Sequence, residues 1–175
     1  MILGMTTETF TILHVVISLI AILAGFLVAI GFLNGKRLDG LAGLFLVTTI
    51  LTSVTGFFFP NTQITPAVTL GIISLAVLTI AVVAQYARAL AGAWRSTFVI
   101  TAMLALYFNV FVLVVQSFQK VPALKSLAPT QSEPPFAIAQ GIVLLGFIAL
   151  TVAAVKKFRV ADLGSGASKS RAASA

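Results

Sequence analysis

The chain has 175 residues, a mean hydropathy of +1.13, 59% hydrophobic residues and only 9% charged ones. A soluble domain carries about 25% charged residues to cover its surface, so an ordinary soluble globule is excluded. The absence of cysteine excludes disulfides, thiolate catalysis, Cys-ligated zinc and iron–sulfur clusters, and the net charge of +7, a nucleic-acid signal in a soluble chain, bears here on membrane orientation.

A bilayer core about 30 Å thick takes about 20 apolar residues at about 1.5 Å of rise each. Five charge-free runs reach that length: Phe10–Leu33 (24 residues), Leu41–Phe59 (19), Pro66–Ala87 (22), Ser96–Gln119 (24) and Phe136–Val155 (20). All 15 charged residues fall outside them. A core helix of a soluble protein would instead repeat polar residues at helical spacing. Before the first run, MILGMTTETF lacks the basic residues of a signal peptide, so the first span is expected to remain as an anchor.

The connections follow in order. Asn34–Gly40 is a turn whose Gly35 and Gly40 suit helix ends. Pro60–Thr65 joins spans two and three, and Pro66 suits a first helical turn. Arg88–Arg95 joins spans three and four. Lys120–Pro135 is longer and holds Pro122, Pro129, Pro134 and Pro135, a composition of semi-rigid and often functional loops. From about Gly164 the chain is rich in Gly, Ser and Ala. The predicted organisation is all-α: a transmembrane domain of five helices over 1–160, then a basic tail over 161–175, expected to be disordered.

Basic residues are retained on the cytoplasmic side. Alternating assignment puts Lys36, Arg37, Arg88, Arg95, Lys156, Lys157, Arg159, Lys169 and Arg171 on one side, and Lys120 and Lys125 on the other. The bias predicts the N-terminus outside and the C-terminus inside. Tyr86 and Trp94 then fall at the inner interface, and Phe57, Phe58, Phe59 and Phe136 at the outer one.

Polar side chains in hydrocarbon are costly unless paired, so their depth is informative. His14, Ser18, Thr52, Ser53, Thr55, Asn109, Gln116, Ser117, Gln119 and Gln140 all fall in the outer half. Asn109 and Gln116 are seven apart, and His14 and Ser18 four apart, so each pair shares a helix face. Thr48, Thr52 and Thr55 line a third stripe. These positions predict a ligand pocket lined by His14, Ser18, Thr52, Asn109, Gln116 and Gln140, roofed by Lys120–Pro135 with Glu133. The competing reading is that Ser, Thr, Asn and Gln bond transmembrane helices to each other, at about 0.6 kcal/mol per bond. Ala21, Gly25 and Ala29, spaced by four, are a packing stripe, and Ala137 and Gly141 suggest another on span five.

Chemistry is sparsely signalled. One histidine excludes bis-histidine haem ligation within a single chain, and Met103 lies at the wrong depth to pair with His14. No Asp or Glu lies in a span. The four carboxylates, Glu8, Asp39, Glu133 and Asp162, are separate in sequence, and a His14–Glu133 couple at the outer surface is geometrically allowed and no more. Proton or ion pumps bury ionisable residues, and these spans hold none except His14. No catalytic residue, metal or cofactor is therefore expected.

Three stretches carry a resemblance: TSVTGFFFP (Thr52–Pro60), GIISLAVLTIAVVAQYARALAGAWR (Gly71–Arg95) and LYFNVFVLVVQSFQKVPALKSLAPTQSEPPF (Leu106–Phe136). Together they resemble a group of uncharacterised short multi-span inner-membrane proteins of proteobacteria, which implies a location and no activity. The expected function is that of a non-catalytic accessory or structural inner-membrane protein. Its expected partners are the lipid bilayer and other membrane subunits or a second copy, with no nucleic acid. The alternative is a binder of a small hydrophobic molecule, lipid or quinone-like, in the outer-leaflet pocket under loop 120–135.

Overall fold

The computed structural model describes residues 1–60 and 66–173, the stretch 159–173 as backbone alone. It is helical, with no strand among the described residues. Six α-helices follow in order: α1 (Thr7–Leu33), α2 (Asp39–Gly56), α3 (Pro66–Val82), α4 (Ala93–Lys120), α5 (Pro122–Leu127) and α6 (Pro134–Ala173). Five of them are long and apolar enough to cross a membrane: α1, α2, α3 with its extension to Ala87, α4, and α6 over Pro134–Phe158.

Local chemistry sets the ends. The Thr6 hydroxyl caps α1 by accepting from the Thr9 N–H at 3.1 Å, and Glu8 lies in the first turn, where a helix favours negative charge. At the other end Gly35 takes φ +62°, Lys36 N–H donates to the Gly31 carbonyl, and Gly35 N–H donates to Phe32. This paired closure satisfies carbonyls the helix leaves open, and it needs a residue tolerant of left-handed backbone. Prolines open α3, α5 and α6, where the missing N–H has no helical partner to lose.

Three stretches differ from expectation. Span two was expected to reach Phe59, but α2 ends at Gly56 and the three phenylalanines turn back. Phe58 and Phe59 pack edge-on against Phe10, and Phe57 closes over Gly71 of α3. The segment 120–135 was expected to be a loop, yet it contains the six-residue helix α5, started by Pro122. The connection Pro60–Thr65 lies, apart from Pro60, outside the described residues. The tail expected to be disordered from residue 161 continues α6 as helical backbone as far as Ala173, and its side chains lie outside the described residues.

Helix α4 packs against α1, α3 and α6, and α1 packs against α2, α4 and α6. The hydrophobic core gathers at one end of the bundle. It is built from Ala24, Val28, Ala29 and Phe32 of α1, Phe45 and Leu46 of α2, Leu78 and Ala81 of α3, Phe98 to Leu106 of α4, and Phe147, Ala154 and Phe158 of α6. This is the end of the Lys36, Arg88 and Arg95 connections. The opposite half, around His14, carries most of the interhelical polar contacts. Ala21, Gly25 and Ala29 are buried as the spacing predicts, and a Cβ on Gly25 would lie 2.6 Å from Leu106 and 2.9 Å from Phe45. Gly141 makes no such approach: nothing within 4 Å would meet its Cβ, so within this chain it packs no helix.

Candidate functional site

The polar residues of the His14 half meet in pairs, each joining neighbouring helices. His14 Nδ1 lies 2.8 Å from the Thr55 hydroxyl, joining α1 to α2, and the ring stacks edge-on with Phe59 at 5.2 Å. Asn109 Nδ2 donates to the buried Thr49 hydroxyl at 3.3 Å, joining α4 to α2. Ser53 donates to Ser74 at 3.3 Å, joining α2 to α3. Gln140 Nε2 donates to the Phe111 carbonyl at 3.2 Å, joining α6 to α4. Such bonds suit side chains that have no water to turn to.

The remaining sequence candidates are placed differently. Ser18 bonds back to its own helix, donating to the His14 carbonyl at 2.7 Å. The Thr52 hydroxyl and the Gln140 carbonyl oxygen are buried, and neither has a hydrogen-bond partner among the described residues. Gln116 is exposed, so sharing a face with Asn109 does not bring it into the bundle. Glu133 does not couple to His14. Its carboxylate accepts from the Thr130 hydroxyl at 2.8 Å, Thr130 N–H at 3.1 Å and Ser132 N–H at 3.1 Å. Partial burial pushes this carboxyl up, and the Thr130 hydroxyl with the backbone N–H groups of Glu133, Thr130 and Ser132 outweighs it, holding the group below its ordinary value.

A cavity of about 340 Å³ lies under the 120–135 segment, open to the surface and lined by Phe118, Gln119, Lys125, Pro129, Thr130 and Gln131; none of the residues expected to form the outer pocket, His14, Ser18, Thr52, Asn109, Gln116, Gln140 or Glu133, lines it. Phe118, stacked edge-on with Phe136 at 5.4 Å, gives it an apolar wall. Gln131 ties the segment down, donating from Nε2 to the Val115 carbonyl at 3.0 Å and accepting from Gln119 at 3.4 Å. Its φ is +61°, a left-handed backbone that a residue with a side chain adopts at a cost of about 1–3 kcal/mol. The Pro-rich composition signalled this segment, but only folding shows which of its side chains turn inward.

A second constellation, at the core end, carried no sequence signal. The run Val83–Ala87 is a π-helical turn, closed by Arg88 N–H on the Val83 carbonyl and by Leu90 N–H on Ala84. It buries Gln85, whose Nε2 donates to Asp39 at 3.1 Å while Arg37 holds the same carboxylate oxygen at 2.6 Å. Ala89 and Leu90 both take positive φ to complete the reversal, and Arg88 lies 5.2 Å over the Trp94 ring. π-Helical turns concentrate at functional sites. Among the described residues no group of three or more His, Asp or Glu is placed to hold a metal ion.

Comparison with known protein families, with curated proteins and with solved structures found no match.

Proposed function

We propose that this chain is a small multi-pass protein of the bacterial inner membrane, N-terminus out and C-terminus in, acting without catalysis as an accessory or structural component. The observation that carries this reading is the use of its intramembrane polar groups: His14, Asn109, Ser53 and Gln140 each bond one helix to another. The outward face of α6 supports it, because Ile138, Ile142, Leu145 and Ile148 offer only apolar surface to lipid or to a neighbouring subunit. The charge bias supports the orientation, with nine basic residues assigned inside and Lys120 and Lys125 outside. The resemblance of Thr52–Pro60, Gly71–Arg95 and Leu106–Phe136 supports the inner membrane.

Extraction in mild detergent, followed by size separation and mass spectrometry, tests the role. A subunit complex of fixed stoichiometry is expected, and a chain that elutes alone as a monomer overturns it. The cysteine-free sequence makes orientation testable by single substitutions. Ser132→Cys is expected to react with an impermeant maleimide in intact spheroplasts, and Ala91→Cys, exposed in the Arg88–Arg95 connection, only after lysis. The reverse pattern inverts the topology.

A second reading, a binder of a small hydrophobic molecule such as a lipid or quinone, is favoured by the cavity under 120–135. At about 340 Å³ it falls within the range of small-ligand sites, about 300–1,000 Å³.

A further inference from the structure

We infer that the cavity under 120–135 binds a phosphate-bearing headgroup, with Lys125 as its counter-charge and Gln119 and Gln131 as hydrogen-bond donors. The inference rests on the second reading above and adds the chemistry of the ligand.

The charge balance of the segment carries it. Glu133 is the sole carboxylate within 120–135, and its oxygens are taken by Thr130 and Ser132. Glu133 keeps its charge but turns its oxygens to the turn rather than to Lys125, which has no ion-pair partner among the described residues, and with Lys120 the segment stays one positive charge in excess. Lys125 lines the cavity, with Lys120 a few residues before it.

The hydrogen-bonding balance points the same way. Gln119 and Gln131 each use one amide hydrogen, on Gln131 and on Val115. Each amide nitrogen carries a second, and a lysine ammonium carries three. The Thr130 hydroxyl hydrogen is directed at Glu133. The groups left over are weighted towards donors, and an anion rich in acceptor oxygens complements them. The left-handed backbone of Gln131 fits a clamp, since strained residues cluster where a ligand is held.

The position selects phosphate among anions. The cavity lies at the C-terminal end of α4, where Phe118 and Gln119 close the fourth apolar run, at the level where a bilayer spanned by that run presents its headgroups. The helix carrying Lys125 is flanked by exposed Val121 and Leu127, apolar surface suited to an acyl chain beneath such a headgroup.

The test uses the full chain in nanodiscs of equal phosphatidylglycerol and phosphatidylcholine, with native mass spectrometry counting the lipids retained. The wild type is expected to retain phosphatidylglycerol preferentially. Lys125→Gln is expected to reduce that preference about fivefold, the weight of one basic residue at an anionic surface. Lys36→Gln, at the opposite end, is expected to leave it unchanged. An undiminished preference in Lys125→Gln overturns the inference. Equal retention of both lipids overturns it while leaving the second reading standing, and retention of neither removes both. Glycerol 1-phosphate added in excess separates the sources: displacement of the lipid identifies a free phosphate ester as sufficient, and persistence of the preference identifies the membrane-borne headgroup.

Discussion

His14 and Thr55 form a bond whose direction is set by a third group. The Thr55 hydroxyl donates to the Leu51 carbonyl at 2.7 Å, with Thr52 also within reach at 3.2 Å. Its single hydrogen is therefore engaged, and towards His14 it can only accept. The neutral ring must carry its hydrogen on Nδ1, which lies 2.8 Å away. His14→Asn, whose amide nitrogen takes the place of Nδ1, is expected to keep the bond, and His14→Leu to lose it. In a double-mutant cycle with Thr55→Val, unfolding in micelles should give a His14–Thr55 coupling of about 0.6 kcal/mol, with about 1.7 as the ceiling for such bonds. A coupling of zero contradicts the assignment. A nitrogen-15 spectrum of the labelled histidine reads the tautomer directly.

Gly25 and Gly141 predict opposite outcomes for the same substitution. Gly25 lies under Leu106 and Phe45, close enough that a methyl group forces both to move. The Leu106 methyl is the free end of a flexible chain, but the Phe45 ring is itself buried in the core. Gly25→Ala is expected to destabilise by about 1–3 kcal/mol through overpacking, and Gly25→Val by more. Gly141→Ala meets open space and is expected to be neutral or slightly stabilising, from better helix propensity. Reversible unfolding in micelles checks the pair. Equal effects at the two sites contradict the close approach of α1, α2 and α4.

The contrast between these glycines shows what the sequence carries. The helices were legible because hydrophobicity and charge are segregated along the chain, and Gly35 and Pro66 mark ends; Pro134, read as loop, turned out to open α6. Which face of each helix turns inward was less legible. Spans three and five are apolar on all sides, so nothing in their pattern says where Gly141 or Gln140 points. Partners such as Asn109 and Thr49 are 60 positions apart, and spacing along one helix cannot pair them with the next. Periodicity placed Gln116 beside Asn109, yet it lies further along α4, where it is exposed. The Asp39–Gln85 contact depends on a π-helical turn that no glycine or proline within Val83–Ala87 announces.

Glu133 makes the 120–135 segment sensitive to acid. Its carboxyl is held below the ordinary value, so the ordering it provides is fully present at neutral pH and above the unfolded-state pKa. That ordering is lost as pH falls through the lowered folded-state value. Amide resonances of Thr130 and Ser132 are expected to shift together with a midpoint below the ordinary glutamate value. In Glu133→Gln both resonances should lose that titration. A midpoint at or above the ordinary value contradicts the three-donor turn.

Gln85 is expected to tolerate loss of its amide better than gain of a charge. One side of that amide donates to Asp39, and the other, Oε1, is buried without a hydrogen bond. Gln85→Met removes a bond to a carboxylate worth about 1.5–3 kcal/mol, but it also removes an acceptor whose burial costs about 1–3 kcal/mol, so the two terms nearly cancel. Asp39 keeps Arg37 and is itself largely exposed, which limits its loss. Gln85→Glu replaces the donor with a second carboxylate about 3 Å from Asp39, inside a residue only 5% exposed. Repulsion and desolvation then act together, and a cost of about 3–5 kcal/mol is expected, the range for an uncompensated buried charge. Arg37 does not offset this, because its Nε already engages the Asp39 oxygen that Gln85 shares. Unfolding of the two variants at neutral pH separates the terms. If Gln85→Met proves as damaging as Gln85→Glu, the two terms do not cancel, and the amide is needed for its shape or for an acceptor role at Oε1.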